Sequence, residues 1–165
     1  SLFLKKKGPQ IMAFWLMKSE PDEYSIQQLL QDQHGCWDGV RNYQARNFMR
    51  EMQPGDEFFF YHASCPTPGI AGIGKIADYA KADLSAFDPE SPYFDAKSNP
   101  QKPRWSSISV KPVCAFKRVI PLAQLRQQPE LEGLLLLSPS SRLSVMPVSE
   151  AHWSFILTLA QPVHR

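Results

Sequence analysis

The sequence predicts an α+β domain, and three observations predict it. Short apolar or aromatic runs recur at residues 14–17, 56–62 and 70–77, with the length and aromatic or branched content of strands rather than helices. Ser25, Asn42 and Ser149 each precede a segment with helical character, where a short polar side chain can cap the free N–H groups of a first turn. Residues 105–120 form one long stretch in which Ile108, Val110, Val113 and Phe116 supply the apolar positions of a strand. With 165 residues, the chain has the size of one ordinary domain and can bury about two-thirds of its unfolded surface.

The first strand, Phe14-Trp15-Leu16-Met17, is ended by the polar tetrad Lys18-Ser19-Glu20-Pro21. Residues 25–33 then read as a packing helix with Ile26, Leu29 and Leu30 on one face. Asp38-Gly39 is a turn dipeptide, and Asn42 caps a helix over 43–52. Pro54-Gly55 breaks the chain before the strand at 56–62, which is apolar on both faces and therefore central. In the strand at 70–77, Gly72 and Gly74 mark a close approach by another group. They do not make a nucleotide loop, because Gly69-x-x-Gly72-x-Gly74 has neither dinucleotide-binding nor P-loop spacing.

Residues 85–105 contain Pro89, Pro92, Pro100 and Pro103 without a period. A connection that long inside a compact domain is usually functional. It is expected to fold over a binding face, carrying Tyr93, Phe94, Lys97, Lys102, Arg104 and Trp105. In the strand that follows, Pro112 implies an edge or a bulge. Residues 122–137 are expected to be a leucine-rich helical stretch interrupted at Pro129, residues 142–148 a last strand, and a closing helix runs from Ser149 to about residue 159. Residues 1–11 are expected to be a dispensable leader before a natural start at Met12, with one domain over 12–165.

Composition bounds the chemistry. The chain is 43% hydrophobic, 12% aromatic and 21% charged, as a soluble globular protein is. A net charge of +2 means that a nucleic-acid partner would be held by a local patch and not by a strongly basic body. Three cysteines at wide spacing, with no C-x-x-C, suggest neither a disulfide framework nor a zinc site and fit a reducing, cytoplasmic compartment. No 18-residue apolar run predicts a membrane span. There is no G-x-S-x-G elbow, no calcium-loop spacing and no closely spaced histidine pair, so no catalytic residue, metal or cofactor is expected.

The stretch from Trp37 to Asn47 reads as a site. It places an indole beside a helix N-terminus whose free N–H groups attract anions or carbonyls. Arg41, Arg46 and Arg50 add cationic donors, and Glu20 and Asp38 are the carboxylates placed with them. The alternative, that Trp37 and Tyr43 are core anchors and the arginines are solvated, stays open on these residues. Aromatic, amide and arginine together suit reading a splayed-out base by stacking and edge hydrogen bonds, with cations on the phosphates.

Several stretches together resemble the EVE domain family of the PUA-like group, related to the YTH readers. They are residues 14–21, the 37–47 stretch, Phe60-Tyr61-His62, the segment from Ser91-Pro92-Tyr93-Phe94-Asp95 to Pro103-Arg104-Trp105, and 142–148 followed by Trp153. Ala96 departs from the pattern, standing where a proline is expected. The resemblance implies a curved, mostly antiparallel, barrel-like sheet flanked by helices, with one pocket for a flipped, modified nucleobase. It implies binding and not catalysis, of modified cytosine in DNA or modified bases in RNA, with bacterial members linked to defence. Carried over, Ser19, Trp37, Asn42, Tyr43, His62, Trp105, Arg142 and Ser144 would line the pocket. Trp37 and Trp105 would sandwich or floor the base, and Asn42 and Ser19 would address its edge. Lys18, Arg41, Arg46, Lys97 and Arg104 would meet the backbone. The partner expected is a nucleic acid, with no membrane and no metal, and the protein a monomer. An enzyme acting on a nucleobase and a structural interaction domain are the competing classes.

Overall fold

The computed structural model describes residues 12–139 and 142–161. The proposed leader, the end of the chain and residues 140 and 141 lie outside the described residues. The strands β1 (Phe14–Ser19), β2 (Gly35–Trp37), β3 (Glu57–His62), β4 (Gly69–Ile76), β5 (Lys81–Ala82), β6 (Ser106–Pro121) and β7 (Val145–Val148) form one sheet. Its order is β2-β6-β4-β3-β1-β7, with β5 paired to β6. β1 and β3 run parallel; the other strand pairs are antiparallel. Around the sheet lie the helices α1 (Ile26–Asp32), α2 (Tyr43–Glu51), α3 (Leu122–Leu125) and α4 (Glu150–Leu159). The α+β, PUA-like expectation describes this architecture.

The helix starts follow the caps that the sequence offers. The side chains of Ser25, Asn42 and Ser149 accept hydrogen bonds from the N–H groups of Gln28, Ala45 and His152, each satisfying a donor that a helix end leaves free. In the middle strands, alternation assigns neighbours to opposite faces. Leu16 and Phe59 join a cluster with Trp153, Leu125 and Leu131. Trp15, Met17, Phe58 and Phe60 join a second cluster with Trp37, Ile26 and Met49. The approach at the glycine strand is real, since a Cβ on Gly74 would lie 2.3 Å from the Phe58 ring.

Two expectations change. Residues 122–137 do not form a helical stretch. After α3 the chain makes two short 3₁₀ turns, Pro129–Leu131 and Leu135–Leu137. Pro129 forces Gln128 out of the helical region, to φ −96 and ψ 109, and Gly133 takes φ +89, so no helix can run through. The last strand begins at Val145 and not at Arg142. Pro112 lies at a register shift between β4 and β6, two residues beyond Val110, the last β6 residue paired with β2, so it sits at a bulge.

Candidate functional site

The parallel pairing of β1 with β3 explains where the site is. Because β1 and β3 run the same way, with Ser19 beside His62, both chains leave the sheet at the same edge. The polar end of β1, Lys18-Ser19-Glu20, and the residues after β3, Ala63 and Ser64, therefore share one wall of an open cavity of about 640 Å³. β2 supplies Cys36 and Trp37, and the turn after it Asp38, Gly39, Val40 and Arg41. Glu23 and Tyr24 come from the approach to α1, Tyr93 from the irregular segment, and Arg142, Leu143 and Ser144 from the approach to β7. The Ser144 carbonyl accepts from the Lys18 N–H at 2.8 Å, which ties that last segment to the β1 end.

A buried carboxylate holds the turn. Asp83, only 1% exposed, accepts from the Gly39 N–H at 2.9 Å, from Arg41 Nη1 at 2.9 Å, and from Ser85 through both N–H and hydroxyl. Burial alone would raise its pKa. The hydrogen bonds from Ser85, Gly39 and Arg41 outweigh burial and hold the carboxyl below its ordinary value. Arg41 in turn donates through Nε and Nη2 to the Tyr93 carbonyl, at 3.2 and 2.6 Å. Gly39 has φ +74, and a Cβ there would lie 2.8 Å from the Tyr93 ring, so the ring rests directly on the turn backbone. The Tyr93 hydroxyl donates to Glu23. That bond, with burial behind it, pushes the phenol up to about 12.

The cavity carries both signs of charge. Burial, then the nearby Asp83, raises the Asp38 carboxyl, and burial lowers the Lys18 ammonium, whose Nζ lies 5.7 Å from the centre of the Tyr61 ring. Both groups are thus poised away from their solvated ionisation. Such a mixture suits a neutral, polar, planar ligand carrying donors and acceptors better than a simple ion.

Of the residues proposed from sequence, the cavity brings together Ser19, Trp37, Arg142 and Ser144, with Lys18 and Arg41. The carboxylates Glu20 and Asp38 are there as well. Asn42, Tyr43, His62 and Trp105 are not among its lining residues. Asn42 is occupied as the α2 cap. The His62 imidazole, 7% exposed, accepts from the Ile26 N–H at 3.2 Å through Nε2; burial lowers its pKa and keeps that acceptor neutral. Trp105 is buried and donates through Nε1 to Asp95 at 2.7 Å, while Tyr43 stacks on its ring at 4.8 Å. The two indoles therefore do not sandwich one cavity.

Trp37 itself is 7% exposed. It lies in β2 opposite Ile108 and meets Phe58 and Phe60 edge-on, so it is a core anchor with one edge on the cavity wall. Arg46 lies over the Tyr43 ring, Arg104 pairs with Asp95 at 3.4 Å, and Lys97 is exposed in the turn that Asp95 caps. Sequence reasoning missed Asp83 altogether, as a lone aspartate gives no local signal. It placed Tyr93 only generally, on the segment over the binding face.

A PUA-like sheet with an open, mixed-charge cleft where two parallel strands end together defines a small ligand-binding module. The family model of the EVE domain matches residues 13–159, and the chain belongs to that family. Human thymocyte nuclear protein 1 is 39% identical over 170 residues, covering 92% of this chain and 75% of the relative. A Pseudomonas putida protein of known crystal structure is 56% identical, with a TM-score of 0.88 over 89% of this chain and 99% of that one. The human THYN1 protein, solved in complex with 5-methylcytosine-containing DNA, is 40% identical, with a TM-score of 0.83 over 89% of this chain and 96% of its own.

Proposed function

We propose that the protein is a reader of nucleic acid that takes a flipped, modified base, modified cytosine first, into the cavity and performs no chemistry on it. The observation that carries this reading is that a relative 40% identical over nearly its whole domain is solved with 5-methylcytosine-containing DNA. The cavity is consistent with it. A cytosine presents an exocyclic amino donor, and Asp or Glu is the side chain that accepts from it; Asp38, Glu20 and Glu23 offer such acceptors. The Trp37 edge gives an apolar wall for a methyl group, Ser19 and Ser144 give further edge contacts, and Lys18 and Arg142 face the negative strand, while Arg41 is held by Asp83 and the Tyr93 carbonyl. The cysteines, none in a disulfide, suit a reducing compartment. Cytoplasmic placement as a monomer belongs to the reading, although the relatives' name points to the nucleus.

The test is a binding comparison of DNA and RNA oligonucleotides, each unmodified or carrying one 5-methylcytosine. One polymer should bind tighter when modified. Asp38→Asn should weaken binding of the cytosine-bearing oligonucleotide roughly tenfold whether or not it is methylated, within the range of a lost specific base contact, with the fold intact by circular dichroism. Equal binding of modified and unmodified oligonucleotides of both kinds would sink the reading, and turnover of the base would replace it with the enzyme alternative.

A further inference from the structure

The residues that the cavity leaves out form a second surface beside it. Tyr43, at the first turn of α2, is 52% exposed, yet its ring is held in place by stacking at 4.8 Å and 23° on the buried Trp105. The Arg46 guanidinium lies 4.8 Å from the Tyr43 ring centre. On the inner side, the Arg41 guanidinium lies 5.3 Å from the Trp105 ring centre, and Arg41 lines the cavity. A continuous column of rings and guanidinium groups therefore leads from the cavity to an exposed edge of α2.

That edge carries more positive charge than its surroundings neutralise. Arg41, Lys81 and Arg104 have carboxylate partners; among the described residues, Arg46 and Arg50 have none. They stand one helical turn apart, where like charges repel. Burial and the neighbouring Arg46 both lower the Arg50 guanidinium from its ordinary value. Neutral acceptors fix their orientation instead. Arg46 donates to the Arg104 carbonyl at 2.9 Å and to Asn47, and Arg50 donates to the Ser106 hydroxyl at 3.0 Å and, more weakly, to the Pro103 and Arg104 carbonyls. Two pre-oriented guanidinium groups without a counter-ion, next to an exposed ring, match a phosphodiester and the nucleoside attached to it.

We infer that the Tyr43–Arg46–Arg50 edge of α2 is a seat for the nucleotide that flanks the inserted base, its phosphate between the two arginines and its base or sugar against Tyr43. The seat rests on the reading of the cavity as the base site and extends it from a nucleoside to a strand. It makes the protein a reader of a modified base within a chain, and not of the free nucleoside.

The experiment measures three probes by titration: the free 5-methyldeoxycytidine nucleoside, a short single-stranded DNA with one central 5-methylcytosine, and the same strand unmodified. Tyr43→Ala should weaken both strands roughly tenfold and leave the nucleoside unchanged. Arg46→Gln with Arg50→Gln should weaken both strands and lower the slope of log K against log salt by about 0.7, the increment of the one single-strand phosphate held between them. Should Tyr43→Ala fail to fold, the arginine pair alone decides. Unchanged strand affinity and salt slope would overturn the seat, and so would equal losses for nucleoside and strand, which would mean that α2 acts through the cavity. If wild-type protein does not bind the nucleoside and binds the modified strand no better than the unmodified one, the cavity reading fails by itself. The seat is then still read from the unmodified strand, whose affinity should fall in both variants.

Discussion

Phe59 and Phe60 are neighbours in β3 and anchor opposite faces of the same sheet. Phe59 stacks on Trp153 with ring centres 3.9 Å apart, inside a cluster closed by α4 and the leucine turns. Phe60 meets Trp37 edge-on at 5.0 Å and His62 edge-on at 5.5 Å, and its cluster runs to the rim of the cavity. The first face is sealed mainly by packed aliphatic and aromatic side chains. The second admits buried polar groups, and each has an assigned partner: Asp56 accepts from Trp15 Nε1 at 3.0 Å, and His62 accepts from the start of α1. One face thus supplies stability through packing, while the other uses pinned polar groups to hold a cleft open in a fixed shape.

The widest separation between the faces should come from Trp153→Ala. Removing a buried indole stacked on both Phe14 and Phe59 should cost about 3–5 kcal/mol of folding free energy, read by denaturant titration, with discrimination between modified and unmodified strands retained in the folded fraction. If discrimination collapses while the protein remains folded, the two faces are not independent.

Asp83→Ala should do the reverse. It leaves the Gly39 N–H and Arg41 without their acceptor, at about 1–3 kcal/mol, and frees the turn that carries Asp38. Preference for the modified base should fall further than that modest stability loss accounts for, and Asp83→Asn, which keeps an acceptor, should recover part of it. Equal binding by wild type and Asp83→Ala at a temperature where both are folded would show that the turn needs no pin.

A smaller effect tests the neutral imidazole. The folded pKa of His62 is depressed below its ordinary 6.5, so as pH falls through 6.5 the unfolded chain takes up a proton that the folded chain refuses. Stability contributed by His62 is therefore complete above about 6.5 and declines below it. The melting temperature of wild type should drop between pH 7 and pH 5 more steeply than that of His62→Gln; parallel curves would show that the imidazole titrates freely in the fold.

The smallest effect belongs to Tyr93→Phe. It removes one exposed hydrogen bond to Glu23 and should change stability by no more than about 1 kcal/mol, while the ring keeps its seat on Gly39. A loss of several kcal/mol would identify the Tyr93–Glu23 contact as a principal brace of the cavity mouth.

What the sequence by itself determined is what lies within a few residues of its own cause. Ser25, Asn42 and Ser149 cap the helices they precede, Pro112 sits at a bulge, and Phe58, Phe59 and Phe60 alternate between faces, because capping, proline geometry and pleat are local. The family resemblance added the architecture and the segments that meet, and Ser19, Trp37, Arg142 and Ser144 do share a cavity. Only the tertiary structure decided which tryptophan reaches it. Trp37 and Trp105 look alike in sequence, each beside a turn, but the pairing of β2 with β6 turns one toward Phe58 and Phe60, and the Asp95 hydrogen bond turns the other beneath Tyr43. Asp83 shows the same limit from the other side. Ser85 is a local partner, but Gly39 and Arg41 are more than forty residues away, and no pattern along the chain marks a carboxylate whose part in the cavity is set by burial and by donors that folding brings to it.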